Sequence, residues 1–255
     1  MEITVDELLE GKSTIIKNKE FFPTKQYVEP FLDKMSKYTD EFIIRAKAAP
    51  QMSITKDSTD TVWNRVWLQA KLPEGYDFDN HSEVYGLMMG LDARKPVVKL
   101  YRGALNLACM NLTIFNPSWL NIQELQPDEV INFSPLEELA QKENDMRIII
   151  ERMKNEHIDR EAAKDHLGKW VDFAINEGEE RGFGNVKMAT SVPIKAYKQI
   201  FLDKDDKYFV PEGIDPSLFN VYNTFTELIT HDKRDILNTA EKTLLLGKML
   251  DVSLS

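Results

Sequence analysis

The most apolar stretch of the chain, Val98–Phe115 (VKLYRGALNLACMNLTIF), constrains the fold more than any other feature. If residues 104–115 form a strand, alternate side chains point to opposite faces, and each face is largely apolar with one asparagine. A strand that is covered on both faces occupies a central position in a sheet. The sequence therefore predicts a central strand here. It also predicts that Asn106 and Asn111 are hydrogen-bonded, because an unpaired buried amide costs about 1–3 kcal/mol.

The composition predicts a folded globular protein, since 42% of the 255 residues are hydrophobic and 29% are charged. The first residues, MEITVDELLEGK, are acidic and lack the basic and apolar regions of a signal peptide. There is no run of about 18 apolar residues that would span a membrane. A single cysteine, Cys109, allows neither an internal disulfide nor a cysteine-based zinc site. We therefore expect a cytoplasmic protein without membrane contact, metal or cofactor, in which Cys109 is a buried thiol.

The residue patterns predict strands in the first half of the chain and helices in the second. Residues 1–50 are expected to form an arm and a helix whose apolar face runs from Phe31 to Ile43. Strands are expected at about 51–115 and helices at about 134–251, with Ser134 and Asp215 as N-caps. This order predicts an α+β fold, with an antiparallel or mixed sheet in the N-terminal half covered by a helical C-terminal half. Residues 51–255 are predicted to form a single domain.

One polar face stands out on the helix predicted from Pro216 to His231. Asn220, Asn223, Glu227 and His231 recur at spacings of three and four, which places them on one side of a helix. A glutamate one turn before a histidine can hold a metal or relay a proton, but two ligands do not make a metal site. A hydrogen-bond cluster or a solvated face would give the same pattern. The candidate polar groove comprises Asn111, Asn223, Thr226, Glu227 and His231.

Basic residues form two modest groups, and each group contains a tyrosine. Proteins that bind single-stranded nucleic acid combine such cations with rings on which bases stack. An ordinary solvated face is the alternative interpretation. The candidate nucleic-acid-binding residues are Arg94, Lys95, Lys99, Arg102, Lys187, Lys195 and Lys198, with Tyr101 and Tyr197 among them.

The net charge of −10 is concentrated between Leu120 and Glu180, where sixteen Asp and Glu accompany only seven Lys and Arg. Such segregation predicts one acidic face on the helical half. An acidic face can occupy the nucleic-acid site of a partner protein by charge complementarity. The candidate partner-binding residues are Glu151, Glu156 and Glu161.

Two segments carry motifs in a recognisable order, YRGALNLACMNLTIF and SLFNVYNTFTELITHDKRDILNTAEKTLLLG. The first has a cysteine, a spacer and an asparagine; the second has a Tyr-Asn pair, a threonine, a histidine and a closing helix. Together they resemble the phage/plasmid-like family of domains of unknown function. Before the cysteine strand that family usually has a run rich in Ser, His, Asp and Gly, whereas this chain has MMGLDARKP. The resemblance implies a mobile-element setting and no particular activity. The matching positions are Cys109, Asn111, Tyr222, Asn223, Thr226, His231, Ala240 and Gly247.

Three functions are compatible with these features. The leading hypothesis is a non-enzymatic phage or plasmid accessory protein that acts in DNA metabolism, through single-strand handling or recombination. The second is an inhibitor of a host defence or regulatory protein that binds through the acidic helical face. The third is an enzyme of unknown substrate that uses Asn223, Glu227 and His231. The sequence favours a non-enzymatic role, assigns no catalytic residue and is compatible with a homo-oligomer.

Overall fold

A computed structural model describes fourteen segments of the chain. The chain falls into two compact units. The sheet unit comprises residues 1–103 and 118–142, and the helical unit comprises residues 104–117 and 143–255. The described residues are 4–10, 14–16, 19–21, 24–48, 63–73, 77–78, 80–90, 97–107, 111–114, 119–125, 129–141, 146–180, 186–231 and 239–249.

The elements alternate between helix and strand at first and are all helical after Glu124. In chain order they are α1 (Val5–Leu9), β1 (Thr14–Ile16), β2 (Lys19–Phe21), α2 (Thr24–Met35), β3 (Phe42–Ala48), β4 (Trp63–Lys71), β5 (Asp77–Phe78), β6 (His81–Gly90), β7 (Val97–Asn106), β8 (Asn111–Thr113), β9 (Leu120–Glu124), α3 (Ser134–Gln141), α4 (Met146–Asn155), α5 (Arg160–Glu180), α6 (Val186–Phe201), α7 (Leu218–Thr230) and α8 (Thr239–Met249). The predicted α+β class is therefore confirmed. The strand pairs β1-β2, β3-β4, β4-β6, β5-β6, β7-β8 and β7-β9 are antiparallel.

The sheet unit is built on a curled sheet in the order β3-β4-β6-β7, with β5 paired to β6 and β9 paired to β7. The register places Leu68 of β4 opposite Ile44 of β3 and Leu87 of β6, and all three are buried. This apolar row belongs to one face of the sheet, because alternate residues of a strand point to the same side. Helices α2 and α3 lie over that face, where their side chains line a cavity with residues of β6 and β7.

The described residues of the helical unit form a short hairpin and five helices. Residues 104–106 of β7 pair with β8, and β8 packs against α7 and α8. Its core includes Trp170 of α5 and Phe225 of α7, whose ring centroids lie 5.2 Å apart. The N-cap of α7 is Ser217, whose hydroxyl accepts a hydrogen bond of 3.1 Å from the backbone N–H of Asn220. The cap therefore lies two residues beyond the predicted Asp215.

The predicted strand over 104–115 is wrong, because the chain turns back at Leu107 and residues 106 and 111 pair across a hairpin. This reversal has no typical turn residue in the sequence, because the segment contains neither glycine nor proline beyond Gly103. The predicted helix face from Phe31 to Ile43 is confirmed as far as Met35 and is wrong beyond it. Helix α2 ends at Met35, and the next apolar residues form β3, in which Ile44 and Ala46 are buried on one side.

Two details lie within the helical region predicted at about 134–251. Its first part forms two helices, α3 and α4, and α6 begins at Val186, seven residues before Pro193. Cys109 and the strand expected at residues 51–62 lie outside the described residues. The single domain predicted over residues 51–255 stays a prediction. In the segments that the structure describes, no helix combines the length and apolarity needed to cross a membrane.

Candidate functional site

Three of the five residues predicted to form a polar groove meet inside the helical unit. The side-chain amide of Asn111 donates a hydrogen bond of 3.4 Å to the carbonyl oxygen of Asn223. The hydroxyl of Thr226 donates to the same oxygen over 3.0 Å. The backbone N–H of Leu112 donates to the hydroxyl of Thr230, which fixes β8 against α7 at a second point. Asn111, Asn223 and Thr226 are all buried. The bonds from Asn111 and Leu112 hold the hairpin on α7, whereas the bond from Thr226 lies within the helix.

Glu227 and His231 do not join this buried cluster. The carboxylate of Glu227 forms an ion pair of 2.7 Å with Lys207. His231 is exposed and ends α7, where its backbone N–H donates to the carbonyl of Glu227 over 3.0 Å. A shared polar face on a helix therefore does not place all its members in one site. Among the described residues, no group of three or more His, Cys, Asp or Glu is arranged to hold a metal ion.

The first group of candidate nucleic-acid-binding cations lies on and before β7. Lys99 and Arg102 are each only 4% exposed, and Arg102 forms a buried ion pair with Glu83 of β6. The surface position expected for these two cations is therefore wrong. The physical reason is that this part of β7 is covered on both faces, so its long side chains find partners inside the protein. Arg94 and Lys95 lie outside the described residues.

The second group of cations lies on α6. Lys195 and Lys198 are both exposed, as a binding role requires, and the side chain of Lys187 lies outside the described residues. Lys198 is one helical turn before Leu202, which is 61% exposed. Leu202 lines a cleft of the helical unit that is larger than the cavity beneath α2 and α3. The exposed surface of α6 thus leads directly to that cleft.

This larger cleft has a volume of about 640 Å³ and opens on the helical unit between α5, α6 and the segment that follows α6. That volume lies within the range of about 300–1,000 Å³ that is typical of ligand-binding clefts. Its lining combines three cations and three aromatic rings with one carboxylate, that of Glu212. The cations are Arg160, Lys164 and Lys204, and the rings are Tyr197, Phe201 and Phe209. We call this feature the aromatic-cation cleft.

Arg160 organises the cleft from the start of α5. Its terminal nitrogen Nη1 donates to the carbonyl oxygens of Val210, Pro211 and Ile214 at 3.2, 2.8 and 3.2 Å. The guanidinium carbon lies 4.6 Å from the ring centroid of Phe201. One side chain therefore fixes the loop after α6 and holds the floor of the cleft by a cation–π contact.

The side chains at the rim remain accessible. Tyr197 and Phe209 are half-buried and Lys204 is exposed, whereas Phe201 is buried beneath the ring of Tyr197 with a centroid distance of 5.2 Å. A hydrogen bond from Lys164 to Glu161 raises the pKa of Lys164, so this amine is charged at neutral pH. The rim thus offers two rings for stacking and two amines for phosphate groups.

Most of the residues lining the aromatic-cation cleft were not among the predicted site residues. The run YKQIFLDKDDKYF, residues 197–209, alternates rings with lysines and carries the missed signal. Helix α6 ends at Phe201, so the second half of this run lies in the segment that follows the helix. Arg160 could not have been found in this way, because it lies fifty residues before the carbonyl oxygens that it binds.

The three predicted partner-binding glutamates are exposed, but their surroundings are not acidic. Glu151 pairs with Arg147 at 3.1 Å, and Glu161 pairs with Lys164. From residue 146 to residue 171 the chain carries six Lys or Arg and five Asp or Glu. The acidic excess of residues 120–180 thus comes from the residues on either side of this stretch. Inhibition of a host protein through Glu151, Glu156 and Glu161 stays a prediction.

Comparison of the chain with protein-family models, with curated proteins and with solved structures found no match. Membership of the phage/plasmid-like family therefore stays a prediction, and the function has to be inferred from the geometry of the chain itself.

Proposed function

We propose that this protein binds single-stranded nucleic acid in the aromatic-cation cleft, as a non-enzymatic accessory factor in phage or plasmid DNA metabolism. The observation that supports this function is the pairing of accessible rings, Tyr197 and Phe209, with the amines of Lys164 and Lys204 around one cleft. Unpaired bases stack on aromatic rings irrespective of sequence, while lysines follow the phosphate backbone. A duplex hides the faces of its bases, so the proposal predicts a preference for single strands.

The exposed lysines of α6 extend this surface. Lys195 and Lys198 are exposed positive charges on α6, and Lys198 is one turn before Leu202, which offers an apolar edge at the mouth of the cleft. Because the whole chain carries a net charge of −10, binding has to rely on this local concentration of cations. We therefore expect modest affinity that weakens steeply as salt is added, since each phosphate contact releases bound counterions.

The test is fluorescence anisotropy of a labelled oligo-dT or oligo-U strand of about 12 nucleotides, a length within the usual site sizes. The Tyr197→Ala variant should weaken binding by about 5- to 150-fold, which corresponds to the loss of one stacked base at about 1–3 kcal/mol. The Lys204→Gln variant should lower the slope of log affinity against log salt by about 0.7, the value expected for one phosphate contact with a single strand.

The matched controls change similar residues elsewhere. Tyr38→Ala replaces a tyrosine of the sheet unit that is 55% exposed, and Lys169→Gln replaces an exposed lysine of α5 that does not line the cleft. Both should bind the oligonucleotide as the unmodified protein does. If no binding occurs at low salt, or if Tyr38→Ala weakens binding as much as Tyr197→Ala does, the cleft is not a nucleic-acid site.

A further inference from the structure

A smaller cavity of about 200 Å³ lies within the sheet unit and has a different chemical character. Its wall includes the carboxylate of Glu83 and the guanidinium of Arg102, which form an ion pair through the Arg102 Nε atom. The side chains of this pair are only 2% and 5% exposed. A buried ion pair is costly to desolvate and is often replaceable by apolar residues without loss of stability. Both charged side chains line a space that a small ligand could occupy.

A second ion pair lies at the mouth of this cavity. Lys34 of α2 donates to the carboxylate of Glu137 of α3 over 2.6 Å, and the Glu137 side chain is 64% exposed. The hydrogen bond from Lys34 lowers the pKa of Glu137. Tyr38 is also largely exposed and lines the cavity, whereas Tyr85 is buried within it. The cavity thus has an inner and an outer pair of opposite charges.

Among the described residues, the rest of the wall is apolar and includes Met35, Leu72 and Leu136. The four charged groups described in the wall cancel, so a ligand with net charge would leave a buried charge without compensation, which is strongly unfavourable. A small zwitterion with an apolar substituent satisfies both requirements. Because a water molecule occupies about 30 Å³ of liquid, the volume is equivalent to about seven water molecules and is too small for a drug-sized ligand.

We propose that this cavity binds a free α-amino acid with an apolar side chain. The carboxylate of the ligand lies toward Arg102 and Lys34, and guanidinium groups are well suited to carboxylates because of their forked donors. The ammonium group lies toward Glu83 and Glu137. The apolar side chain packs against the leucines and the methionine of the wall. This binding is separate from the nucleic-acid role of the aromatic-cation cleft.

The test is calorimetric titration and thermal unfolding of the full chain with L-leucine, L-isoleucine, L-methionine and L-phenylalanine. At least one of them should bind and raise the melting temperature in proportion to the logarithm of its concentration, because a ligand that binds the folded state stabilises it. N-acetyl-L-leucine lacks the ammonium charge and L-leucinol lacks the carboxylate. Each should bind at least tenfold more weakly than L-leucine, or not detectably.

Two variants test whether the amino acid binds in this cavity. Leu136→Phe fills the space and should abolish binding, whereas Tyr38→Ala changes only an exposed side chain at the mouth and should weaken binding at least fivefold while the protein stays folded. Ile194→Ala, a change at an exposed residue of the helical unit, is the control and should leave binding unchanged. The Tyr38→Ala variant should retain oligonucleotide binding, so failure of either proposal can be distinguished from failure of the other.

Three results would overturn the amino-acid proposal. The first is the absence of heat and of any melting shift with all four amino acids at millimolar concentration. The second is binding of N-acetyl-L-leucine as tightly as L-leucine. The third is binding that Tyr38→Ala and a folded Leu136→Phe variant both leave unchanged.

Discussion

The sheet unit and the helical unit place their cationic side chains in opposite environments. In the sheet unit, Lys99 and Arg102 of β7 are almost fully buried, and Arg102 is held by the carboxylate of Glu83. In the helical unit, Lys195 and Lys198 of α6 are exposed to solvent. The same residue types, in sequence patterns that appear alike, are thus enclosed in one unit and accessible to a polyanion in the other. Exposure, and not the number of basic residues, decides where a polyanion can bind.

The largest effect expected from this contrast is on the buried ion pair. Arg102→Met leaves the carboxylate of Glu83 buried without its partner and should lower the free energy of unfolding by about 3–5 kcal/mol. The double variant Arg102→Met/Glu83→Leu removes both charges and should be closer to the unmodified protein in urea unfolding. Lys198→Met is the control from α6 and should change stability by less than about 0.5 kcal/mol. Equal effects of Arg102→Met and Lys198→Met would remove the distinction between the two units.

The next effect is the pH dependence caused by His81, which is buried at the start of β6. Burial lowers the pKa of His81 from 6.5 to about 4. Below pH 6.5 His81 of the unfolded chain binds a proton, whereas His81 of the folded protein binds it only at about pH 4. The stability contributed by neutral His81 is therefore complete above pH 6.5 and is lost as the pH falls toward 4, by up to about 3 kcal/mol.

Chemical denaturation between pH 4 and pH 7 measures this loss. The His81→Asn variant should show a shallower decline in stability over that range than the unmodified protein. His231→Asn removes an exposed imidazole from the helical unit and serves as the control for the loss of a histidine. A decline in His81→Asn as steep as that of the unmodified protein would show that burial of His81 does not cause it.

A pair of glycine substitutions compares packing in the two units. A Cβ atom at Gly86 of β6 would overlap the ring of Tyr101, whereas a Cβ at Gly168 of α5 would meet no atom within 4 Å. Gly86→Ala should therefore cost about 1–3 kcal/mol through overpacking. Gly168→Ala should stabilise the protein by about 0.5–1 kcal/mol, because alanine favours the helix more than glycine does. Thermal unfolding of both variants checks these opposite signs, and a neutral Gly86→Ala would contradict the tight packing of β6 against β7.

The smallest effect is expected at an exposed ion pair. Arg147 and Glu151 lie one turn apart on α4, and both side chains are more than half exposed. A double-mutant cycle with Arg147→Ala and Glu151→Ala should give a coupling energy of about 0.2–0.5 kcal/mol. A coupling as large as that of the buried pair would mean that exposure does not determine the strength of these interactions.

Particular residues show how much of the fold and of the site was predictable. The alternating residues of β4 and the apolar and polar faces of α7 predicted strands in the first half of the chain and helices in the second, which is the α+β class. The hairpin after Asn106 was missed because its turn has no glycine or proline, and β3 was missed because its short apolar run also fits a helix. The hydrogen-bonded asparagine at 111 was predicted from its burial cost alone, and the structure gives it a partner on α7.

The candidate site was less predictable than the fold. Lys195 and Lys198 were identified from the sequence, but the cleft beside them depends on Arg160, which acts on a loop fifty residues away. In the same way, the pairing of Lys34 with Glu137 joins residues that are 103 positions apart. Contacts at such separations leave no periodic signal in the sequence, so only the folded chain reveals the two proposed binding surfaces.

The most direct test of the proposed function is photo-crosslinking of the full protein to an oligonucleotide that contains 5-iodo-deoxyuridine, followed by mass spectrometry of the crosslinked peptides. Halogenated bases crosslink to the aromatic rings on which they stack, so the expected crosslinks are at Tyr197 and Phe209, the accessible rings of the aromatic-cation cleft. They should disappear at high salt. Crosslinks confined to the sheet unit, with none at either ring, would contradict the assignment of this cleft as the nucleic-acid site.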